Sequence, residues 1–499
     1  MRRLVAFLLA GLLSGCLVGP DYERPQPATA PTAEFKETTG DSPFRPAMPR
    51  DAIDRGKWWS MYGDPTLDQL AAQVDVSNQN LKVAEAAYRQ AVALIRQNQS
   101  SIFPTIGYTG SISQNSATGS RNTGGLVTSS GGGSVGQYAT GFTLGWEIDV
   151  WGRIRRTIES ASAAAQASAV DLMAARLSAQ SSLIVNYYSL RVSDARRRLF
   201  EETLAAYARS LEIVRNQFNA GTVSRVDLAQ AQTQYEQTRA QLVAEGVNRA
   251  LFEHAIAALI GRTPAEVSVP PAPPPQSVPT VDAGIPSALL ERRPDIASAE
   301  RQMASANAQI GVAVAAYYPD ITLNASISFV STMISTLFKI ADAVWSLGPQ
   351  LAGTAIDGGA RAALVESARA NYDGTVANYR QTVITAFQQV EDALAQQRIL
   401  EQQEEVQRAA VAAARDAERL ALNQYRAGTV PYTTVILTQT AALSAEQTLL
   451  NVRLSRLTAS ATLVAALGGG WRDVELPPPV PIAGSQTSRE LKRKSWWPF

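Results

Sequence analysis

Histidine and cysteine are among the side chains that most often carry out chemistry in proteins, and this chain of 499 residues has one of each. His254 lies in "LFEHAIAAL", where a helix-surface or partly packed histidine is the simplest interpretation. A Ser-His-Asp hydrolase would depend on this histidine, and no Gly-x-Ser-x-Gly elbow accompanies it. A zinc site usually draws on several cysteine or histidine ligands. The sequence therefore predicts no enzyme, no catalytic residue, no metal site and no cofactor.

The single cysteine follows the pattern of a lipid-attachment site. Two arginines precede an apolar run from Leu4 to Leu13, and the run leads into "LSGC", which ends at Cys16. A basic start, an apolar run of about ten residues and small residues before a cut describe a secretory signal that is too short to span a bilayer. "LSGC" resembles the bacterial lipobox, in which the cysteine thiol receives a diacylglycerol and the freed amine a further acyl chain. We expect Cys16 to carry the lipid; the alternative is an ordinary signal peptide with a coincidental cysteine. An aspartate directly after the cysteine would favour retention in the inner membrane. Leu17 occupies that position here, which points to the outer membrane.

Charge and cysteine content exclude other classes of protein. With 45 basic and 44 acidic side chains, the formal net charge is +1. That balance provides neither the basic field of a nucleic-acid-binding protein nor an acidic tail. One cysteine cannot form a disulfide within the chain.

The chain contains an internal duplication of sequence segments. "NQFNAGTV" begins at Asn216, and "NQYRAGTV" begins at Asn423. Other similar pairs keep the same order, such as "EIDVWGRIR" from Glu147 and "TAIDGGARA" from Thr354. A proline cluster at 267–279 separates the copies. Two copies of this kind predict two structurally similar halves.

Each "AGTV" segment is predicted to be the turn of a helical hairpin. Residues 153–220 contain neither glycine nor proline and are rich in strong helix formers. At 1.5 Å per residue, such a helix is roughly 100 Å long. Gly221 then stands where a left-handed C-cap belongs, and "SRVD" from Ser224 fits a capping box for the next helix. In the second copy Gly428 ends the helix and Pro431 opens the next one.

Ahead of each long helix, apolar and small polar residues alternate in short segments. "QYATGFTLGWEIDV" from Gln137 and "TIGYTGSISQ" from Thr105 each have one apolar face, and residues 321–329 repeat the pattern. A fourth segment around Trp345 is weaker because Pro349 interrupts it. Such segments are typical of transmembrane β-barrels, although the same alternation fits a soluble, half-buried strand. The stretch between the first two strands is rich in glycine and serine and carries no charge apart from Arg121. It fits an extracellular loop.

Four strands cannot close a barrel, and an open sheet edge is not tolerated in lipid. Strands from several chains must therefore complete it. Two chains would give an eight-stranded barrel filled by side chains, whereas three or four chains would leave a lumen. This argument disfavours the dimer and does not choose between three and four chains.

These motifs resemble those of the TolC-type outer membrane factors, and more narrowly the lipoprotein, NodT-like branch that serves resistance–nodulation–division efflux pumps. The resemblance runs from Cys16 to about Leu467 and is carried by "CLVGPDYERP", "WEIDVWGR", "IDGGAR" and the paired "AGTV" turns. It implies a mixed α and transmembrane β fold: a homotrimer with a twelve-stranded barrel through the outer membrane, continued by a twelve-helix tunnel across the periplasm. The implied function is the exit duct of a tripartite efflux system. Small molecules would pass through it to the exterior from an inner-membrane transporter and a periplasmic adaptor.

The resemblance also assigns the helices and the division of the chain. The long helices would be Arg153–Ala220 and Ala360–Ala427, and the shorter ones Asp64–Ser101, Ser224–Ile260, Pro286–Ala315 and Pro431–Leu467. The expected organisation is a signal peptide at 1–15, a lipidated, extended and unpacked arm at 16–63, a first repeat at 64–265, a linker at 266–285, a second repeat at 286–470, and a tail at 471–499.

In this family the hairpin tips form the periplasmic entrance and contact the adaptor. The resemblance carries that role to two sets of tip residues: Gly221, Thr222 and Val223, and Gly428, Thr429 and Val430. Many members narrow the pore with an aspartate ring just past the second tip, but "GTVPYTTV" contains no acid here. The candidate aperture residues are therefore Tyr425, Arg426 and Tyr432, with a solvated surface arginine as the alternative for Arg426.

Two other functions stay open from the sequence. A non-conducting, coiled-coil scaffold lipoprotein of the periplasm would pack the alternating strands on protein instead of lipid. Within the same family, the duct could export proteins instead of small molecules.

Overall fold

The computed structural model of the chain describes residues 17–25, 35–38, 55–116, 120–123, 126–129, 134–275, 277–279, 281 and 293–469. The predicted signal peptide, Cys16 and the tail at 471–499 lie outside these residues.

The elements alternate between long helices and short strands. In chain order they are α1 (Pro65–Ser77), α2 (Gln79–Ser100), β1 (Thr105–Ser116), β2 (Ser120–Thr123), β3 (Leu126–Ser129), β4 (Ser134–Glu147), α3 (Arg153–Asn219), α4 (Arg225–Leu259), α5 (Pro294–Ala315), β5 (Asp320–Ser331), β6 (Ala343–Ala352), α6 (Ala360–Arg426) and α7 (Tyr432–Ala466).

The two long helices, α3 and α6, occur where the sequence predicts them. Each contains 67 residues, which makes each roughly 100 Å long at 1.5 Å per residue. α3 packs along α4, α6 packs along α7, and α5 contacts both long helices. The order helix, strand, strand, long helix, helix occurs twice, so the predicted duplication into two similar halves is confirmed.

Two of the shorter helices differ from the prediction. The expected helix Asp64–Ser101 is broken at Asn78, which is extended at ψ 122° and caps α2 by accepting hydrogen bonds from two backbone amides. The Asn78 amide also donates to the Leu259 carbonyl at 2.7 Å, so a contact distant in sequence favours the break. The helix expected over Pro286–Ala315 is interrupted at Arg293, which has the extended backbone that a following proline imposes, and its described part begins at Pro294. Residues 286–292 lie outside the described residues.

All four predicted strands form, and they make one antiparallel sheet in the order β1-β4-β5-β6. β1 and β6 are its edges. Pro349 lies inside β6, opposite Leu323, and an edge strand tolerates it because a proline without an N–H can face away from the neighbouring strand. The loop between β1 and β4 contains a further hairpin of β2 and β3, which was not predicted.

The first described part of the N-terminal arm, residues 17–25, is packed, contrary to the expectation of an unpacked segment. The buried guanidinium of Arg156, 1% exposed, donates to the carbonyls of Val18 and Gly19 and to Asp21. The Tyr22 hydroxyl donates to Glu300 at 2.6 Å. Contacts between residues so far apart in sequence leave no local pattern, which explains why the sequence suggested a free arm.

The main core lies midway along the long helix α3, where aromatic and aliphatic residues of both halves meet. Tyr187 and Tyr188 of α3 pack there with Leu67 of α1, Ile256 of α4 and Leu457 of α7. Across the described ranges, no helix is long and apolar enough to cross a membrane.

Candidate functional site

The two hairpin tips have the same backbone geometry, and both favour glycine. Gly221 and Gly428 each have φ 74°, a left-handed conformation that other residues adopt only with strain. At the first tip the Thr222 amide donates to the Gln217 carbonyl at 2.9 Å. At the second, the Thr429 amide donates to the Gln424 carbonyl at 3.0 Å. These are Schellman C-caps.

The threonines strengthen these caps and lie at the surface. The hydroxyls of Thr222 and Thr429 donate to the same carbonyls, of Gln217 and Gln424, that their amides reach. Gly221 and Gly428 are exposed with them, while Val223 and Val430 turn inward. The two valines contact a buried cluster, the tip core, which consists of Leu211, Val214, Ala231, Tyr425, Tyr432 and Val435. Each tip thus presents a small, polar surface on an apolar base.

The helices that leave the tips begin differently. Ser224 forms the predicted capping box, accepting from the Asp227 amide while the Asp227 carboxylate accepts from the Ser224 amide at 3.0 Å. At the second tip Pro431 is the N-cap with ψ 158°, and Tyr432 is the first helical residue. A proline at this position supplies no side-chain cap, so the second tip has fewer local hydrogen bonds than the first.

The aperture candidates separate into two buried residues and one exposed residue. Tyr425 and Tyr432 are 7% and 3% exposed, with ring centroids 5.1 Å apart. Burial raises the pKa of Tyr432 to about 12 and also raises that of Tyr425. Within the chain both tyrosines belong to the tip core, whereas Arg426 is exposed and available to solvent.

Tyr425 also joins the two hairpins. Its hydroxyl donates to the side-chain carbonyl of Gln217 at 2.6 Å. Gln217 belongs to the last turn of α3 and Tyr425 to the last turn of α6. The link therefore holds the ends of the two long helices together directly above the tips.

Further from the tips, a buried carboxylate joins α6 to α7. Glu404, with a side chain 3% exposed, accepts from Arg456 at 2.6 Å and from Arg408, and Arg453 lies within 3.6 Å. Burial opposes ionisation, but the hydrogen bonds from Arg456 and Arg408 prevail and lower the pKa of Glu404. The sequence analysis missed this cluster. The Glu-Arg spacing on α6 was a visible signal, but the arginines on α7 are remote in sequence.

The duplicated Asp-containing motifs ahead of the long helices are N-terminal caps. Asp149 accepts from the amides of Ile154 and Arg155, and Asp357 accepts from those of Gly359 and Arg361. Hydrogen bonds from the Arg361 side chain and these amides lower the pKa of Asp357 to about 2. Both motifs fix the direction in which a long helix leaves the sheet.

The sheet has one apolar and one polar face, and the strand register aligns them across all four strands. Tyr108 lies opposite Phe142, Phe142 opposite Ile327, and Ile327 opposite Trp345. The same face also carries Ile106, Ile112, Leu347 and Leu351. All eight of these side chains are 42–77% exposed.

The opposite face carries small and polar residues in equally aligned rows. One row joins Gly107, Thr143, Ser326 and Ser346, and another joins Thr105, Gly145, Asn324 and Gly348. Thr140 is a polar residue on the apolar face of β4, and its hydroxyl donates to the Tyr108 hydroxyl at 3.1 Å and to the Thr109 carbonyl at 3.2 Å. Its hydroxyl is therefore satisfied without water.

No group of three or more histidine, cysteine, aspartate or glutamate side chains that could hold a metal ion occurs among the residues that the structure describes.

Comparisons with known proteins agree over nearly the whole chain. The family described as outer membrane efflux protein matches residues 70–262 and 285–469. The antibiotic efflux pump outer membrane protein ArpC and the toluene efflux pump outer membrane protein TtgC, both of Pseudomonas putida, are each 33% identical over 472 residues, which cover 93% of this chain and 94% of the relative. The solved structure of the outer-membrane channel OprN has a TM-score of 0.80 at 28% identity, covering 91% of this chain and 100% of that chain.

Proposed function

This chain belongs to the outer membrane efflux protein family, and on that premise we propose how its structure serves as a lipid-anchored exit duct for small molecules. It is the outer-membrane channel of a tripartite efflux pump, which implies an adaptor and an inner-membrane pump as partners. In our proposal three copies combine their four-stranded sheets into a twelve-stranded barrel, and their helices continue it as a tunnel across the periplasm.

This proposal rests on the sheet, which has one apolar and one polar face aligned across all four strands and an unpaired strand at each edge. Its apolar face is exposed over Ile106, Tyr108, Ile327 and Trp345, and its edges β1 and β6 have no strand beside them within the described chain. An apolar outer face suits lipid, and the row of small polar residues suits an aqueous lumen. Edges in lipid must pair, so neighbouring copies would join β6 to β1.

A scaffold lipoprotein would need protein against the apolar face of the sheet. Among the described residues no α-helix lies there: apart from the loop between β5 and β6, the sheet strands contact chiefly one another. The printed names of the relatives, an antibiotic pump and a toluene pump, favour small molecules over proteins as cargo. We propose a pump of the resistance–nodulation–division type as the partner.

The hairpin tips are the proposed contact with the adaptor. The exposed surfaces of Gly221, Thr222, Gly428 and Thr429 lie at the ends of the longest helices, farthest along the chain from the sheet. Val223 and Val430 would support these surfaces from beneath. Arg426 is the remaining aperture candidate with an exposed side chain, beside the link between Tyr425 and Gln217.

The docked arm supports lipid attachment at Cys16. Leu17 lies so close to Gly152 that a side chain on that glycine would meet its Cδ1 atom, and the Val18 amide donates to the Trp151 carbonyl. The residue after Cys16 is therefore held where β4 leads into α3, at the proposed boundary between membrane and periplasm. An acyl chain attached there would reach the inner leaflet of the outer membrane.

The proposed division into repeats at 64–265 and 286–470, with the linker at 266–285 and the arm at 16–63, is supported by the family's two matched stretches. The repeated order of elements in the structure also supports this division.

A matched pair of substitutions tests the orientation of the sheet together with the function. Ile327→Arg places a charge on the apolar face, which costs about 2–4 kcal/mol per chain near the middle of a bilayer, whereas Ser328→Arg places it on the polar face. In a strain whose own channel has been deleted, we expect Ser328→Arg to restore trimer and drug efflux. We expect Ile327→Arg to restore neither. Equal behaviour of the two variants would contradict a lipid-facing sheet, and trimer without efflux in the wild type would favour the scaffold.

A further inference from the structure

We propose that the loop between β5 and β6 inserts into the outer leaflet of the membrane and binds a phosphorylated, acyl-chained lipid there. This inference rests on the proposed orientation of the sheet, with its apolar face toward lipid. The loop lies at the end of the sheet opposite the helices, because β5 starts directly after α5 and runs away from it.

The loop exposes a concentration of apolar side chains that is unusual for a connection in water. Met333, Ile334, Phe338 and Ile340 are 59%, 67%, 74% and 90% exposed. Single exposed apolar residues need no explanation, but a cluster of this kind marks a contact surface. The other long connection of the sheet, at 117–133, is composed mainly of glycine, serine, threonine and asparagine. The apolar character therefore belongs to this loop and is not general to that end of the sheet.

A ring contact fixes the side of the sheet on which the loop lies. Phe338 packs against Phe329 with ring centroids 5.9 Å apart. Phe329 is two residues from Ile327 in β5, so both point from the same, apolar face. The loop thus folds over the face that we assign to lipid, and its surface continues that face.

The turn that presents these residues is held by its own hydrogen bonds. The hydroxyls of Ser331 and Thr336 lie 2.6 Å apart, and the Lys339 amide donates to the Thr336 carbonyl at 3.0 Å. Leu337 is buried beneath the turn. The turn consequently presents three successive exposed side chains, Phe338, Lys339 and Ile340. The cationic Lys339 lies between two apolar groups.

This arrangement matches the chemistry of an anionic membrane lipid. Phe338 and Ile340 can enter the acyl region, while the flexible stem of Lys339 carries its ammonium to the level of the headgroup. A lysine beside phosphate at a membrane surface contributes favourably to binding. The loop's one acidic residue, Asp342, lies at its far end, where β6 begins.

Spin-label accessibility tests the insertion. Nitroxide labels would be placed at Ile340→Cys, Ile327→Cys and Ser328→Cys in a chain with Cys16→Ala behind a cleavable signal, and the trimers reconstituted in vesicles of phosphatidylcholine and lipid A. We expect oxygen, which partitions into lipid, to relax the labels at 340 and 327 more than a water-soluble nickel chelate does. The label at 328 should show the reverse.

The outcomes separate the inference from the proposed function. A label at 340 that responds mainly to the nickel chelate lies in water or in the lumen, and one that responds to neither is buried against another copy; either result overturns the insertion. If the label at 327 is itself not oxygen-dominated, the orientation of the sheet is wrong, which is a failure of the proposed function.

The role of Lys339 is tested by the lipid A that remains bound to each trimer after detergent washing, measured by native mass spectrometry. We expect Lys339→Gln to weaken retention about fivefold, the change expected for one surface lysine, and Lys339→Arg to preserve it. Lys82→Gln is the matched control, because Lys82 is an exposed lysine of α2. Equal retention by Lys339→Gln and the control would contradict recognition of the phosphate.

Discussion

Among single residues, Glu404 is a charged group kept inside the helical hairpin of the second half. It lies between α6 and α7, where Arg408, Arg453 and Arg456 surround its carboxylate. Removing one partner of a buried ion pair leaves the other charge uncompensated. The contact between the two helices therefore depends on Glu404 being ionised.

This dependence predicts how pH affects the hairpin. The pKa of Glu404 is lowered from 4.5 in the folded chain, so its contribution to stability is complete above the unfolded value and is lost as the pH falls through the folded value. We expect amide hydrogen exchange in 400–408 and 450–458, corrected for intrinsic rates, to be constant above about pH 5 and to rise only below it. Glu404→Gln should exchange faster at neutral pH and lose the pH dependence. A rise that begins at neutral pH in the wild type would contradict the assignment.

Residue roles at the tips could be predicted only in part. Gly221 and Gly428 were predictable because a C-cap glycine leaves a local signal after a long helix. The burial of Tyr425 and Tyr432 was not, because their shared core includes Leu211 and Val214 of the other half. No sequence window contains both sides of that contact.

The hairpin tip is the element in which backbone conformation and proposed function meet. A Cβ atom added to Gly221 or Gly428 would meet nothing within 4 Å. The cost of a side chain there comes from the left-handed φ alone, about 1 kcal/mol or more for a β-branched residue. Such a change alters the tip without disturbing a packed neighbour.

We therefore expect Gly221→Val and Gly428→Val to leave normal amounts of trimer in the outer membrane while efflux-dependent resistance falls, with a larger loss in the double variant. Trimer would be quantified on unheated gels beside drug-susceptibility assays. Asn substitutions at the same positions should retain more resistance, since asparagine tolerates the left-handed region. Gly246→Val, in the interior of α4 where a Cβ is also unobstructed, is the matched control. Full resistance in the double variant would exclude the tips as the functional contact, and loss of trimer would make them structural.

Most element boundaries were predictable, and the exceptions have a common cause. The uninterrupted helix-forming stretch from Arg153 and the alternation from Gln137 are strong local signals, and both elements are present. The break at Asn78 depends on Leu259, and the docking of the arm depends on Arg156. Interactions between distant segments decided these features, so local sequence patterns could not.

In the whole molecule, the apolar face of the proposed barrel and the proposed lipid on Cys16 would be two separate attachments to the membrane. Strands from three chains bury far more apolar surface than two or three acyl chains do, at about 0.8 kcal/mol per methylene. The arm is additionally held by Arg156 and Tyr22. Insertion should therefore not depend on the lipid.

For this reason we expect Cys16→Ala, behind a cleavable signal, to give the same amount of inserted trimer as the wild type. Mass spectrometry of the mature wild-type N-terminus should show an acylated Cys16. An unmodified cysteine, or a mature chain that starts elsewhere, would contradict the anchor, and loss of trimer in the variant would contradict its independence from the barrel.

Single-channel current across a planar bilayer tests most directly whether the trimer conducts. The Tyr425 hydroxyl ties α6 to Gln217 of α3 at 2.6 Å, and Tyr425→Phe removes this link, worth about 1 kcal/mol per chain, while keeping the ring in its core. We expect trimers purified from outer membranes to give discrete current steps, with larger or more frequent openings for Tyr425→Phe than for the wild type. If neither protein conducts although inserted trimer is present in the bilayer, the chain is not an open duct and the scaffold interpretation replaces it.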